Sequence, residues 1–320
     1  MKLEPKITAF VFPGQGSQAV GMGQELAAAY PQAKQVFEEA DEILGFSLSR
    51  LMWDGPDTDL NDTVNTQPAL YLHSVAAQRV FSHLYPEFLP ASVAGHSLGE
   101  ISALSGAGAL SFGDGLRLVR KRGELMKRAG ELSPGSMAAI LGLDIPSLEK
   151  VCAEASVTGE IVQVANDNCP GQVVVSGARA AVERAIAGAK TAGAKRGIPL
   201  AVSIAAHSPL MASIQGEWEQ AVDACDMGDP KVPVIGNVHA KPMTTAGELR
   251  ADIKAQMGSR VRWTESVREM LKNGTQAFVE VGSGGVLIGL IRRIAPSTPE
   301  EPGPITYSFG NPQDIEAIGL

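Results

Sequence analysis

Residues 93–100 read VAGHSLGE: a short apolar approach, then Gly95-His96-Ser97-Leu98-Gly99, then an acid. The pattern G-x-S-x-G suits a sharp strand-to-helix turn that lifts a serine hydroxyl above a parallel sheet. Backbones pass close together in such a turn, so the flanking positions need residues without side chains. The same stretch also spells Ser-x-x-Glu, Ser97 to Glu100, the capping box of an ordinary helix start. One reading makes Ser97 a nucleophile, the other a cap. A nucleophile needs partners, which the rest of the chain must supply.

Working outward, ITAFVF (7–12), PASVAG (90–95), VPVIGN (232–237) and AFVEVG (277–282) are short strand candidates. Helical stretches lie between and around them at 23–44, 68–84, 98–109, 113–130, 208–225 and 263–273. Short apolar strands alternating with amphipathic helices predict the α/β class, with an open and largely parallel sheet. The Ser97 turn then falls at the carboxyl edge of that sheet, where such folds place ligands. Residues 131–201 read differently: strand 136–143, helix 146–155 opening with a proline, strands 160–167 and 171–177, helix 178–193, strand 196–203. That βαββαβ order is the ferredoxin-like arrangement. The expected organisation is a large α/β-hydrolase-like domain of residues 1–130 and 202–320, interrupted by a ferredoxin-like subdomain at 131–201. The Pro-rich stretch 295–304 reads as the start of a loose tail.

Composition narrows the function. A net charge of −8 and a pI near 5.2 argue against general nucleic-acid binding. Basic residues gather only locally, at Arg117 to Arg122 and at Arg292-Arg293. Cys152, Cys169 and Cys225 lack metal-ligand or redox spacing and read as packed, reduced thiols. The first residues, MKLEPKITAFVF, hold too short an apolar run for a leader or a membrane span. The expectation is a cytoplasmic protein without a metal site or a membrane partner.

Five histidines are available as a general base for Ser97. His96 is its immediate neighbour and should point elsewhere; His73 and His83 lie in a helical stretch; His239 lies in a polar loop. His207, in SIAAHSPLM, stands where the chain leaves the inserted lobe, after two small residues that leave room for a ligand. A packed structural histidine is the competing reading. In the helix 113–130, Arg117, Lys121, Glu124 and Arg128 form a solvated stripe, whereas Arg122 is flanked by Leu118, Leu125 and Met126. Either its stem packs while its head snorkels to water, or it is a fixed fork for a carboxylate. The loop FPGQGSQ (12–18) fits neither a dinucleotide fingerprint nor a P-loop, and its glycines leave backbone N–H groups free beside Ser97.

Taken together, FVFPGQGSQ with GM soon after, TQPALY, GHSLGE, Arg122-Gly123, NCPGQVVVSG, HSPLM, VRWTESV and VEVGSGGVL resemble the malonyl-CoA:acyl-carrier-protein transacylases of bacterial fatty-acid synthesis. The ordered set spans nearly the whole chain. The resemblance implies an acyltransferase with Ser97 as the acyl-carrying nucleophile and His207 as its base. It implies an oxyanion hole from the backbone N–H groups of Gln15 and Leu98, and Arg122 paired with the malonyl carboxylate. It also implies that the main-chain carbonyl of Gln256, rather than an Asp, orients the histidine. Asn166, Asn168, Gln172, Lys195 and Arg196 match positions along the coenzyme A or pantetheine approach. Malonyl-CoA and an acyl carrier protein are then the expected partners, the thioester is a substrate and no cofactor is needed, the kinetics are ping-pong, and a monomer is expected. Lys195, Arg196, Arg117 and Lys121 are candidates for docking an acidic carrier. Ala206, just before the histidine, does not separate malonyl from methylmalonyl selectivity. The alternatives are a free-standing acyltransferase of a polyketide synthase, a serine esterase or thioesterase, and a silent carrier-binding module.

Overall fold

In the computed structural model, which describes residues 3–298 and 302–318, the chain builds two separate sheets. β1 (Thr8–Phe12) comes first and is buried along its whole length. After α1 (Gln24–Ala29), α2 (Pro31–Leu44), α3 (Leu48–Asp54), α4 (Asp57–Leu60) and α5 (Thr63–Leu84), the chain returns as β2 (Ser92–Gly95). α6 (Leu98–Gly106) and α7 (Phe112–Leu132) follow. The second sheet is then laid down by β3 (Gly135–Leu141), α8 (Ile145–Ala155), β4 (Val162–Cys169), β5 (Gln172–Ala178), α9 (Arg179–Thr191) and β6 (Arg196–Pro199). A 3-10 segment at Pro209–Ile214 leads back to α10 (Gln215–Asp223), β7 (Val234–Ile235), β8 (Pro242–Met243), α11 (Ala246–Gln256) and α12 (Trp263–Lys272). β9 (Ala277–Val281), α13 (Val286–Ile294), β10 (Ile305–Phe309) and α14 (Asp314–Ile318) complete the order.

The first sheet runs β10-β9-β1-β2-β7-β8, parallel throughout except at the β7–β8 edge. Successive residues of a strand face opposite sides, and the core divides accordingly. Phe10 and Phe12 pack with Leu70, Leu98, Ile101 and Val119 on one face. Ala9 and Val11 join Trp263, Phe278, Leu287 and Ile291 on the other. Helices on both faces are what a fully buried parallel sheet requires. The second sheet runs β4-β5-β3-β6, antiparallel throughout, with α8 and α9 packed through Leu148, Val151, Val182 and Ala185 onto Ile140, Val173 and Val175. β4 is tied to the segment between α11 and α12: the Asp167 N–H donates to the Val261 carbonyl at 2.9 Å, and the Val261 N–H to the Ala165 carbonyl at 2.8 Å. Among the described residues no helix is long and apolar enough to cross a membrane.

Some boundaries differ from the sequence expectation. The stretch 23–44 is two helices, because Pro31 has no N–H to continue the first, and Tyr30 closes α1 while opening α2. α5 starts at Thr63 rather than 68, with the Asp62 side chain accepting from the Val64 N–H. Pro68 therefore sits inside the helix, and the Val64 carbonyl that it cannot serve accepts from Arg120 Nη1 at 3.1 Å. The expected strand 196–203 shrinks to β6 and 232–237 to β7. The C-terminal stretch is not simply loose. Beyond residues 299–301, which lie outside the described residues, Ile305–Phe309 pairs in parallel with β9 as an edge strand. Only Phe309 of this strand is fully buried, which weakens its apolar signal.

Candidate active site

Ser97 stands on the turn between β2 and α6, just past the carboxyl end of the parallel sheet. Its backbone is at φ 53° and ψ −109°, and its side chain makes no capping bond, so the capping box is not formed. Two glycines permit the turn. A Cβ on Gly95 would lie 1.9 Å from the Gly99 carbonyl, and one on Gly99 would lie 2.1 Å from the Phe12 carbonyl oxygen. The hydroxyl is thereby turned away from the helix, toward the chain that returns from the second sheet. The Leu98 N–H, at the first helical position, belongs to the set that a helix start leaves without an intrahelical acceptor.

His207 meets that hydroxyl: Ser97 Oγ to His207 Nε2 is 2.7 Å. The other ring nitrogen, Nδ1, faces two carbonyl oxygens, Gln256 at 3.0 Å and Ser259 at 3.1 Å. Carbonyls only accept, so Nδ1 carries the proton and Nε2 is left as the acceptor for the serine. Burial, then the nearby Arg122 charge, push the imidazole pKa down to about 3, so the ring is neutral at physiological pH. His207 too has a left-handed backbone (φ 57°), and its own carbonyl accepts from Gln163 Nε2 at 2.8 Å.

Arg122 is buried, not snorkelling, with 2% of its surface exposed. Nη2 donates to Ser97 Oγ at 3.0 Å and to Gln256 Oε1 at 2.9 Å, and Nη1 donates to Gln67 Oε1 at 2.8 Å. All three acceptors are neutral, and Nε has no hydrogen-bond partner among the described residues. Burial lowers the guanidinium pKa to about 10, which leaves it charged, with Glu100 opposing the shift. A buried cation held only by neutral oxygens is an incomplete ion pair. Such a site has room in its electrostatics for an anionic partner such as a carboxylate.

Gln256 is the hub of the site. Its main-chain carbonyl faces the histidine, its Oε1 accepts from Arg122, and its Nε2 donates to the Ser97 carbonyl at 2.9 Å and to Glu100 Oε2 at 2.5 Å. Gln15 lies nearby: its Oε1 accepts from the Thr63 hydroxyl at 3.3 Å, and it lines a groove of about 400 Å³ shared with Lys127, Val202 and Ile204. The second set of residues is more dispersed. Asn168 reaches the turn, its Oδ1 2.8 Å from His96 Nε2, whereas Asn166 is buried in β4. Gln172 is held by Arg293, and Lys195 and Arg196 are exposed at the edge of the second sheet.

Three residues at this site escaped the sequence reading. Gln67 lies inside TQPALY with no local mark of its own, and Asn237 ends VPVIGN, at the carboxyl end of its strand, where a ligand-edge position is its only visible signal. Asn237 Oδ1 accepts from the Ser97 N–H at 2.7 Å, and its Nδ2 donates to the Gly95 carbonyl at 2.7 Å. Glu100 appeared only as half of a capping box. It is wholly buried, and burial together with the facing Asp252 holds its pKa well above the usual carboxylate range.

Known proteins show the same chain plan. The malonyl CoA-acyl carrier protein transacylase of Bacillus subtilis (strain 168) is 47% identical over 288 residues, covering 89% of this chain and 90% of that protein. The Escherichia coli (strain K12) protein of the same name is 46% identical, covering 89% and 92%. A crystal structure of an acyl carrier protein S-malonyltransferase from Vibrio cholerae superposes with a TM-score of 0.92 at 42% identity, covering 98% of this chain and 99% of that one. A type II PKS acyl-carrier protein in complex with its malonyl-transacylase gives 0.90 at 40%, covering 97% and 98%. The model of the acyl transferase domain matches residues 9–299, and with the serine, histidine and arginine brought together on that scaffold, the chain belongs to the acyl transferase domain family.

Proposed function

We propose that this chain moves a malonyl group from malonyl-CoA to the phosphopantetheine thiol of an acyl carrier protein, through an ester on Ser97, for fatty-acid synthesis. The observation that carries the reading is a single hydroxyl contacted both by a neutral histidine and by a buried, unneutralised arginine. Ser97 Oγ attacks the thioester carbonyl as its proton passes to His207 Nε2. The N–H groups of Leu98 and Gln15 take the developing oxyanion. Coenzyme A leaves as its sulfur accepts the proton from His207. The carrier thiol then gives its proton to His207 and attacks the ester carbonyl, returning Ser97 to its hydroxyl form, which is ping-pong transfer. The carboxyl carbon of a malonyl ester stands three bonds from Ser97 Oγ, so a guanidinium touching that oxygen fits a short diacid.

The same reading places the approach of coenzyme A and pantetheine along Asn166, Asn168, Gln172, Lys195 and Arg196. The βαββαβ order and the β4-β5-β3-β6 arrangement support a ferredoxin-like subdomain at 131–201, inserted into a hydrolase-like domain of 1–130 and 202–320. A cytoplasmic setting is supported by three free thiols. The likeness to a PKS transacylase complex favours, as a second reading, a carrier from polyketide synthesis. The test is intact-mass measurement with peptide mapping after incubation with malonyl-, acetyl- or methylmalonyl-CoA, followed by chase with each type of carrier. Malonyl mass on Ser97, discharged by the fatty-acid carrier and absent from Ser97→Ala, is expected. Turnover by Ser97→Ala, or discharge to water at the rate of discharge to the carrier, overturns the proposal.

A further inference from the structure

Ser97 holds a backbone conformation that an L residue rarely adopts, and such strain persists only where the surroundings over-determine it. The surroundings here are two amide side chains, one at each end of the residue. Asn237 Oδ1 accepts from its N–H at 2.7 Å, and Gln256 Nε2 donates to its carbonyl at 2.9 Å. Both lead to one carboxyl group. Glu100 Oε1 accepts from the Asn237 N–H at 3.2 Å, and Glu100 Oε2 accepts from Gln256 Nε2 at 2.5 Å. Asp252 backs this arrangement: it is buried against the Glu100 carboxyl, whose protonated form it favours by charge and by hydrogen bonding, and its Oδ2 accepts from the Val238 N–H at 3.3 Å.

We propose that Glu100 is the positioning residue of the nucleophile, acting through Asn237 and Gln256, and that its two acceptor oxygens set which way the Gln256 amide points. With both oxygens occupied by N–H donors, the Gln256 NH2 must face Glu100 and Ser97. Its Oε1 is then the atom that faces Arg122. One carboxyl group thus fixes the strained serine and the orientation of the arginine's neutral acceptor together. Held protonated by burial and by Asp252, the Glu100 carboxyl turns its O–H toward Asp252 and still accepts with both oxygens, whereas a glutamine of nearly the same shape offers one acceptor and an NH2 that cannot accept. That NH2 meets either the Asn237 N–H or the Gln256 NH2, two donors face to face. The relief is a flip of Gln256, which turns its NH2 onto the guanidinium and withdraws the donor from the Ser97 carbonyl.

The clamp rests on the reading of Ser97 as the reactive hydroxyl, and the test separates the two. Ser97 labelling by a fluorophosphonate reports the nucleophile whatever its acyl donor, and malonylation by malonyl-CoA reports the assigned reaction. Both are measured well below the unfolding midpoint of each variant. Glu100→Gln is expected to slow both labellings by about tenfold or more and to raise KM for malonyl-CoA. Asn237→Ala is expected to slow both by a similar factor with KM changed less than twofold, since Arg122 keeps its partners. A space-filling role for Glu100 would leave the isosteric Glu100→Gln at the wild-type rate. That result, or wild-type labelling of Asn237→Ala should Glu100→Gln fail to fold, overturns the proposal. If the wild type takes the fluorophosphonate but never malonyl, the assigned reaction fails while the clamp is still judged by the first probe.

Discussion

His207 is the residue whose environment makes the sharpest prediction. Burial and the Arg122 cation both disfavour its charged form, and its pKa falls from 6.5 to about 3. A base works when deprotonated, so kcat/KM for Ser97 malonylation should stay flat as pH falls from 8 to below 6. A break near 6.5 in that profile would contradict the neutral, desolvated ring. Arg122 makes the second prediction. Its guanidinium meets only neutral oxygens, so a substrate carboxylate has no internal competitor. Arg122→Ala should cost malonyl-CoA about 3–5 kcal/mol in kcat/KM, the scale for breaking a buried pair, while acetyl-CoA loses far less. Steady-state kinetics with the two thioesters, side by side, checks it. An equal loss on both would mean that the arginine only supports the fold.

At the scale of elements, the turn at Ser97 depends on how β2 and α6 meet, and α13 has a comparable anchor of its own. Glu280, buried near the carboxyl end of β9, accepts from the N–H groups of Leu287 at 3.2 Å and Ile288 at 3.0 Å, capping the α13 N-terminus from outside the helix. Glu280→Ala should strip those N–H groups of acceptors and cost about 1–3 kcal/mol of stability, read as a lower unfolding midpoint. Burial outweighs the N–H groups of Ile288, Leu287 and Val286 and raises the carboxyl pKa from 4.5 to about 7. The folded chain therefore binds this proton more tightly than the unfolded chain. The associated stability is full below 4.5 and is lost as pH rises through about 7. Denaturant midpoints of wild type should decline across that window, and Glu280→Gln should remove the decline.

Across the whole molecule, charge is unevenly placed. The chain carries −8 overall, so docking an acidic carrier requires a local basic surface. Of the four basic residues nominated from sequence, Arg117 lies near Asp114 and Lys121 near Glu217, whereas Lys195, just before β6, and Arg196, its first residue, are exposed with no carboxylate partner among the described residues. Reversing both to Glu should raise KM for the carrier several-fold at low salt, leave kcat unchanged, and lose its effect as salt is added. An unchanged KM at low salt would remove β6 from the docking surface.

What the amino-acid sequence determined by itself was local and periodic. Gly95 and Gly99 announce a tight turn because only a missing Cβ allows that approach. ITAFVF announces a strand buried on both faces, and the apolar neighbours of Arg122 mark it apart from its solvated helix. Ser97 with Glu100 shows where local information ends, since the same four letters serve a capping box and a nucleophile turn. The tertiary structure leaves the cap unformed and brings Asn237 and Gln256, more than a hundred residues downstream, onto the two ends of Ser97. Glu100, Asn237 and Gln67 were illegible for the same reason: a buried polar residue takes its meaning from partners that the chain delivers from afar. The edge strand at 305–309 was hidden because its register comes from β9 and only one of its side chains is fully buried. Burial and pairing across distance, which no local pattern encodes, made a neutral base and an unneutralised cation out of an ordinary histidine and arginine.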